Sequence, residues 1–275
     1  MTYLGHGGPL GWAQERILTI PDIESWTNAD NLTLFITATC SFGAYDNPSK
    51  LSPAEYAILN PKGGAIALMT TTRAVYTNTN KLLTDATHEN LLDKVQGERP
   101  TLGYIMTEGK NKYQSDNSFR VNSRKFVLLG DPSMPLALPK YNIVTEKING
   151  SDAALATDTM AALQKVQLSG YIAGSDNAIL SDFNGTLYIT VYDKKSSLRT
   201  LSNDGNTSSV FPFTMYKNIL FKGSATVNNG RWTVSFRIPK NIDYNYGYGR
   251  ITYYAHDGQS RDASGNYDKI IIGGS

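Results

Sequence analysis

The first half of the sequence alternates short apolar runs with segments of helical character. Three runs rich in aliphatic and β-branched residues predict buried strands at residues 32–39, 64–70 and 126–129. Ser52-Pro53-Ala54-Glu55 has the pattern of a helix start, because a capping residue is followed by proline at the first helical position and by glutamate three residues after the cap.

Two further helices are predicted downstream. Residues 80–95 contain good helix formers without an internal breaker, and Leu102, Ile105 and Met106 have the spacing of one helix face. Strands separated by helices favour an α/β layer structure with a mostly parallel sheet.

The second half has a different pattern, with short runs in which apolar and polar residues alternate. Between Trp232 and Ile238, for example, every second residue is apolar, as in a half-buried strand. Turn-forming clusters separate the runs, which predict strands at 166–172, 185–192, 213–221, 231–238 and 249–256. This pattern favours an antiparallel β-sandwich. We therefore expect two domains, residues 1–140 and 141–275, with the boundary near 140–150.

Composition excludes several classes of protein. The 275 residues include 26 basic and 24 acidic side chains without runs of one sign, so no nucleic-acid surface or polybasic membrane patch is indicated. The single cysteine excludes an internal disulfide, and no apolar stretch reaches the roughly 20 residues of a membrane span. Met1 leads directly into what looks like the end of a strand, so we expect the chain to be an internal fragment.

His6 and Cys40 are the candidate catalytic residues. Cys40 ends the first predicted strand, and His6, 34 positions earlier, lies among glycines that let a substrate backbone approach. If their strands are adjacent and parallel, both residues reach the same edge of the sheet. The alternative is plain: a cysteine that ends an apolar strand is often a buried small residue, and a glycine-flanked histidine is often part of a turn.

Other polar residues give weaker signals. Glu15, Asp22 and Asp46 are candidates for orienting His6, and nothing in the sequence ranks them. His88 and His256 have no metal-ligand spacing to another histidine, cysteine or carboxylate, so we interpret both as structural or surface residues. No motif indicates a metal or a cofactor.

Four ordered motifs carry a resemblance to a known family. They are Leu4-Gly5-His6-Gly7-Gly8, Thr37-Ala38-Thr39-Cys40 leading to Tyr45-Asp46-Asn47-Pro48, Gly63-Gly64-Ala65-Ile66-Ala67, and Lys125-Phe126-Val127-Leu128-Leu129-Gly130-Asp131-Pro132. They resemble the gingipain-type cysteine peptidases, and most closely the PorU-type sortases of the type IX secretion system of Bacteroidetes. The resemblance runs through residues 3–140 and continues into the second half.

The resemblance implies a caspase-like α/β fold with a Cys/His dyad. Cys40 would be the nucleophile, His6 the acid/base, and the N–H groups of Gly7 and Cys40 the oxyanion hole. Residues 1–140 would be the C-terminal part of the peptidase domain, and residues 141–275 an immunoglobulin-like β-sandwich. No cofactor is implied.

The implied function is that of a sortase at the cell surface. It would remove C-terminal sorting domains from secreted cargo and transfer the new carboxyl end to an amine of anionic lipopolysaccharide. Its partners would include other outer-membrane proteins of the secretion system.

Two rival functions stay open at this point. One is a gingipain-like extracellular endopeptidase with side-chain specificity, and the other is a non-catalytic cell-surface binding module in which Cys40 is inert. The family also has strands and a subdomain before the histidine motif that this sequence lacks, so the activity of the chain alone is open as well.

Overall fold

The computed structural model describes residues 1–92, 98–155, 159–202 and 209–274, and the chain divides into two compact units, Met1–Ala137 and Leu138–Ser275. In the first unit the strands are β1 (Thr2–Leu4), β2 (Gly7–Gly8), β3 (Gly11–Trp12), β4 (Leu18–Thr19), β5 (Thr33–Ala38), β6 (Ala65–Thr71) and β7 (Phe126–Leu129). Its helices are α1 (Ile20–Glu24), the 3-10 turn Ala29–Asn31, α2 (Pro53–Leu59), α3 (Thr77–Leu91), α4 (Leu102–Asn111) and α5 (Asn117–Ser123).

The main sheet of the first unit has the order β1-β5-β6-β7, in which β1, β5 and β6 are parallel and β7 is antiparallel to β6. Ile36 and Met69 pack on one face against α3, α4 and α5. Phe35 and Leu68, from the alternate positions, pack on the other face against α1, α2 and the β3–β4 segment. The predicted α/β layer structure is confirmed in this unit.

The local predictions for the first unit are largely confirmed. All three predicted strands form within two residues of the expected ends, and the Ser52–Glu55 capping box starts α2, with Glu55 Oε2 accepting from Ser52 N at 2.7 Å. Leu102, Ile105 and Met106, which were predicted to share one helix face, are all buried in α4. The helix predicted at 80–95 begins earlier, at Thr77, and residues 93–95 of that prediction lie outside the described residues.

The second unit contains strands and no helix among its described residues. The strands are β8 (Tyr141–Ile148), β9 (Ser151–Asp152), β10 (Thr159–Met160), β11 (Lys165–Ala173), β12 (Gly185–Tyr192), β13 (Ser196–Arg199), β14 (Pro212–Met215), β15 (Ile219–Asn228), β16 (Arg231–Arg237), β17 (Gly247–Tyr248), β18 (Arg250–His256), β19 (Asp262–Tyr267) and β20 (Ile271–Ile272). The prediction of an all-β second half is confirmed.

The main sheet of this unit closes on itself. Its described strands follow the order β11-β16-β15-β12-β18-β19-β8, and β8 also pairs with β11. The ring therefore resembles a barrel, because β8 bonds to a neighbour on each side, whereas the sequence predicted two facing sheets. The immunoglobulin-like arrangement is not confirmed.

One predicted strand, residues 213–221, is wrong. The run belongs to two different strands, since β14 pairs with β13 alone among the described strands, whereas β15 enters the barrel. The chain changes direction between them at Tyr216–Asn218, where Asn218 O accepts from Asp193 N at 2.9 Å. Apolar residues on both sides of Lys217-Asn218 concealed this change, because hydrophobicity alone does not indicate which sheet a residue joins.

A buried ion pair fixes the chain where β12 leads into this hairpin. The Asp193 side chain is only 2% exposed, and Lys194 Nζ lies 2.8 Å from its Oδ1. The same ammonium donates to Asp243 O at 2.8 Å and to Ile272 O at 3.2 Å. One lysine thus neutralises a buried carboxylate and links three separate segments of the unit.

We expect Lys194→Met to lower the free energy of unfolding of the second unit by about 3–5 kcal/mol, because it leaves the Asp193 charge buried without a partner. Urea unfolding followed by circular dichroism measures the loss. Lys147→Met, at an exposed lysine of β8, serves as the control and should change stability by less than about 0.5 kcal/mol. Equal losses in the two variants would contradict the role of Lys194.

Candidate active site

The register of β1 and β5 brings His6 and Cys40 to neighbouring positions. Leu4 is paired with Ala38 in the parallel ladder, and Gly5 N donates to Ala38 O at 3.4 Å. His6 and Cys40 each follow two residues after that last pair, at the carboxyl edge of the sheet. His6 is exposed and Cys40 is partly buried. The structure therefore places the two predicted residues together at one edge.

The main chain of His6 is held from two sides. Its carbonyl oxygen accepts from the Tyr3 hydroxyl at 2.7 Å and from Ala13 N at 2.8 Å. The Tyr3 ring stacks on buried Trp12, with ring centroids 4.2 Å apart. Burial, together with the charge of Glu15, raises the pKa of Tyr3, so the hydroxyl stays protonated and remains a donor. The His6 backbone is fixed while its imidazole faces solvent.

Cys40 is held by the chain that follows β6. Its Sγ lies 3.5 Å from Val75 N and 3.8 Å from Val75 O. Ser41, the next residue, has a φ of +51°, so the chain bends sharply directly after the thiol. No hydrogen bond joins the side chains of His6 and Cys40 among the contacts of the described residues. In this structure the thiol contacts the Val75 main chain.

Two buried asparagines, which sequence reasoning missed, hold the segment that contacts the thiol. Asn80 of α3 donates from Nδ2 to Ala38 O at 3.4 Å, and Asn122 of α5 donates to Asn80 Oδ1 at 2.9 Å. Asn122 Oδ1 in turn accepts from Tyr76 N at 3.1 Å. Asn80 and Asn122 are 4% and 1% exposed. The sequence contains no clear signal for them, because the buried faces of α3 and α5 mix apolar residues with other polar ones such as Thr84 and Ser123.

The candidate orienters of His6 have different surroundings. Asp46 forms a bidentate ion pair with Arg73, with contacts of 2.9 and 2.6 Å, and the hydrogen bond from the guanidinium lowers the pKa of Asp46. Hydrogen bonds from Thr19 lower the pKa of Asp22 in the same way. Glu15, by contrast, lines the same groove as His6. Of the three acids, Glu15 is the one that shares a surface with His6.

That groove is formed by one continuous segment. Its volume is about 820 Å³, and it is lined by residues between His6 and Pro21, which include strands β2, β3 and β4. Cys40 is not among the lining residues. The groove therefore leads up to the histidine side of the candidate pair.

The other histidines take part in local contacts. His88 Nε2 lies 2.9 Å from Thr2 Oγ1, and its Nδ1 lies 2.7 Å from Thr84 O. The His256 ring stacks on Tyr188, with centroids 5.7 Å apart. Within the described ranges, no group of three or more histidine, cysteine, aspartate or glutamate side chains could hold a metal ion.

Comparison with known proteins assigns the first unit to a family. Residues 1–137 match the model of peptidase family C25. This unit belongs to family C25. The family is that of the gingipain-type cysteine peptidases, so the resemblance seen in the sequence is confirmed, and the chain carries part of a cysteine-type peptidase. None of the curated proteins matches the chain.

Several solved structures are similar to the chain. Dimeric latent PorU from Porphyromonas gingivalis is 26% identical over 77% of this chain and 20% of its own, with a TM-score of 0.47. The complex of Porphyromonas gingivalis RgpB pro- and mature domains is 16% identical over 96% of this chain and 53% of its own, with a TM-score of 0.45. The Arg-specific cysteine proteinase gingipain R is 16% identical over 100% of this chain and 52% of its own, with a TM-score of 0.44. This chain thus spans about half or less of each relative, and the family assignment rests on the family model.

Gly7 of the C25 unit occupies a position with no room for a side chain. A Cβ added there would lie 2.3 Å from Thr39 Oγ1 and 3.0 Å from Gly11 O, whereas a Cβ at Gly8 would meet nothing within 4 Å. Thr39 is fully buried and cannot move aside. The segment between β1 and β2, which carries His6, can approach the end of β5 only because residue 7 is glycine.

We expect Gly7→Ala to weaken the pairing of β1 with β5 by about 1–3 kcal/mol, the usual cost of overpacking, and Gly8→Ala to leave it nearly unchanged. Hydrogen exchange of peptides spanning the two strands, read by mass spectrometry, measures the difference. Adding Thr39→Ala to Gly7→Ala removes the nearest clash and should restore part of the protection. Similar exchange in the two glycine variants would contradict the close approach.

Proposed function

We propose that this chain is part of a cell-surface cysteine peptidase of sortase type, with Cys40 as nucleophile and His6 as acid/base. Its substrates would be the C-terminal sorting domains of secreted cargo, and its acceptor an amine of anionic lipopolysaccharide. The observation that supports the proposal is the parallel register of β1 and β5, since a histidine and the one cysteine of a family C25 unit each lie two residues beyond its last pair.

The reaction needs a thiolate, a proton carrier and a site for the developing oxyanion. His6 would take the Cys40 proton and then give it to the leaving amine. Gly7 lies in β2 opposite Trp12, and a Cβ added there would lie 2.3 Å from Oγ1 of Thr39, the residue before Cys40. This close approach supports Gly7 and Cys40 N–H as the oxyanion donors.

Transfer to an amine follows from the chemistry of the thioester. Attack of Sγ on the scissile carbonyl expels the sorting domain as a free amine and leaves the cargo bound to Cys40. A second amine can then attack the same carbonyl and lose its proton to His6. The Cys40 sulfur leaves and takes a proton from His6, and the cargo carbonyl is now joined to the acceptor by a new amide bond. Water at this step would give hydrolysis instead. The exposed imidazole leaves the histidine side open to an incoming acceptor.

The groove beside His6 supports a peptide substrate. It is lined by the glycine-rich segment between residues 6 and 21, where small residues let another backbone come close. In this proposal the first unit is the C-terminal part of a caspase-like domain, and the second unit is the immunoglobulin-like domain that follows it. The place of action is the outer-membrane surface, with other secretion-system proteins as partners. No helix among the described residues is long and apolar enough to cross a membrane.

The rate of Cys40 alkylation by iodoacetamide against pH tests the catalytic pair. We expect rapid alkylation of Cys40 at neutral pH, and His6→Ala to slow it markedly, because the thiolate is the nucleophile and needs a neighbouring base. His88→Ala is the matched control, since this histidine lies away from the sheet edge, and it should leave the profile unchanged. Slow alkylation that is indifferent to His6 would favour the rival view that Cys40 is an inert thiol of a binding module.

A product analysis tests the transfer step. Peptides that end in a sorting-domain sequence, with basic or non-basic residues before the scissile bond, are incubated with the chain and with glycinamide as acceptor. We expect amide products that increase with glycinamide concentration, without a need for a basic residue, and none in Cys40→Ala. Hydrolysis alone, restricted to peptides with a basic residue, would instead favour a gingipain-like endopeptidase.

A further inference from the structure

The hairpin formed by β13 and β14 exposes one apolar face. Leu198 lies directly opposite Phe213 in this hairpin, and Thr200 N donates to Phe211 O at 3.0 Å. Directly opposite residues share a face, as do alternate residues of one strand. One face therefore carries, in order along the chain, Leu198, Phe211, Phe213 and Met215. We call these four residues the apolar face of the hairpin.

This face is open to solvent to an unusual degree. Phe211 is 65% exposed, Met215 46% and Phe213 38%, and every residue of β14 is exposed. Single exposed apolar residues are common on protein surfaces, but a row of large ones on one face marks a binding surface. A two-stranded hairpin is also only marginally stable in water without a partner for its apolar side.

The hairpin is surrounded by positive charge. Four exposed cations lie on it or flank it in the chain: Lys195, Arg199, Lys217 and Lys222. Across residues 194–222 the sequence has one acid, Asp204, against these four cations and Lys194. The four cations are spaced apart along the chain, so the sequence shows no run of charge. Among the described residues, Asp193 forms its ion pair with Lys194 and not with any of these four.

The base of the hairpin is anchored to the barrel. The Tyr216 ring, directly after β14, has Arg250 of β18 4.6 Å from its centroid and Lys195 at 5.4 Å. Tyr192, the last residue of β12, lies 6.2 Å from the same ring, measured between centroids. These contacts hold the hairpin, and with it the apolar face, at a fixed place on the barrel. Lys195 and Arg250, the cations near Tyr216, lie at the base of the hairpin.

We propose that the apolar face of the β13–β14 hairpin docks on an anionic lipid surface. Large apolar side chains among an excess of cations are the complement of acyl chains beneath negative headgroups. A second copy of this chain fits the surface less well, because symmetric pairing would set the same cations against each other. An uncharged partner would leave the cations without a counterpart.

The proposal is independent of the catalytic one. Membrane docking of the second unit would hold or fail whether or not Cys40 reacts, and its test does not involve peptide cleavage. Each cation near an anionic surface contributes about a fivefold gain in partitioning, and this part of the binding weakens as salt rises. The aromatic and methionine side chains add an apolar contribution to the binding affinity, and this contribution does not decrease as salt rises.

Co-sedimentation of the 275-residue chain with large unilamellar vesicles tests the proposal. One set of vesicles contains phosphatidylcholine and phosphatidylglycerol in a ratio of about 4:1, and the other phosphatidylcholine alone. We expect binding to the anionic vesicles at least about tenfold stronger than to the neutral ones, with a decrease between low and high salt. Equal binding to both vesicle types, or none to either, would overturn the proposal.

Two variants with matched controls locate the contact. The double change Phe211→Ser with Phe213→Ser, and separately Lys217→Glu, should each reduce binding by about tenfold. Leu155→Ser, at a leucine that is 80% exposed elsewhere in the unit, and Lys147→Glu should leave binding unchanged. Circular dichroism confirms that each variant is folded.

Three outcomes count against the proposal. If the phenylalanine variant binds normally while the charge variant does not, the apolar face takes no part in the contact. If the control variants lose as much as the hairpin variants, the attraction is non-specific. If sedimentation equilibrium without lipid shows self-association that the phenylalanine changes abolish, a second copy covers the face instead.

Discussion

The candidate site depends on one constraint, the parallel pairing of β1 with β5 in a single register. With Leu4 opposite Ala38, the two chains leave the sheet together and carry His6 and Cys40 to the same edge. A slip of one residue would move the side chains of β5 to the wrong faces of the sheet and would separate Tyr3 of β1 from Trp12, on which its ring stacks. The alternation of Phe35 and Ile36 between the two cores makes such a slip costly, so packing on both sides of the sheet fixes the spacing of the catalytic candidates.

Around this edge, main-chain groups do most of the positioning. The carbonyl of His6 accepts two hydrogen bonds, and the Cys40 sulfur receives the N–H of Val75. An N–H directed at sulfur stabilises negative charge there through a charge-assisted hydrogen bond. Asn80 and Asn122 complete the arrangement by linking the end of β5 to the segment of Val75. Buried amides that satisfy one another specify one geometry, because any shift would leave a polar atom unpaired inside the protein.

Much of the first unit was predictable because its signals are local. The Ser52–Glu55 capping box, the apolar runs of β5 and β7 and the face of α4 depend on neighbours within a few residues, and all of them form as expected. The pair His6 and Cys40 was also accessible, since it needed only two strands and their order. The segment that lines the groove was not, because strands of two residues have no period to detect. Nor were the contacts of Asp22 and Asp46, since the partner of a surface carboxylate depends on how loops meet.

The second unit shows where hydrophobic pattern stops being informative. Residues 213–221 read as one strand, yet the part up to Met215 stays in solvent and the part from Ile219 enters the barrel. Both parts are mainly apolar, and they differ in their partner strands, β13 for the first part and β12 and β16 for the second. Alternation gave a better guide, since Phe211, Phe213 and Met215 occupy every second position along the chain and all three are exposed. This apolar row stays exposed, is bordered by cations and is anchored at its base. These properties fit a surface that contacts anionic lipid better than a row of core residues that failed to become buried.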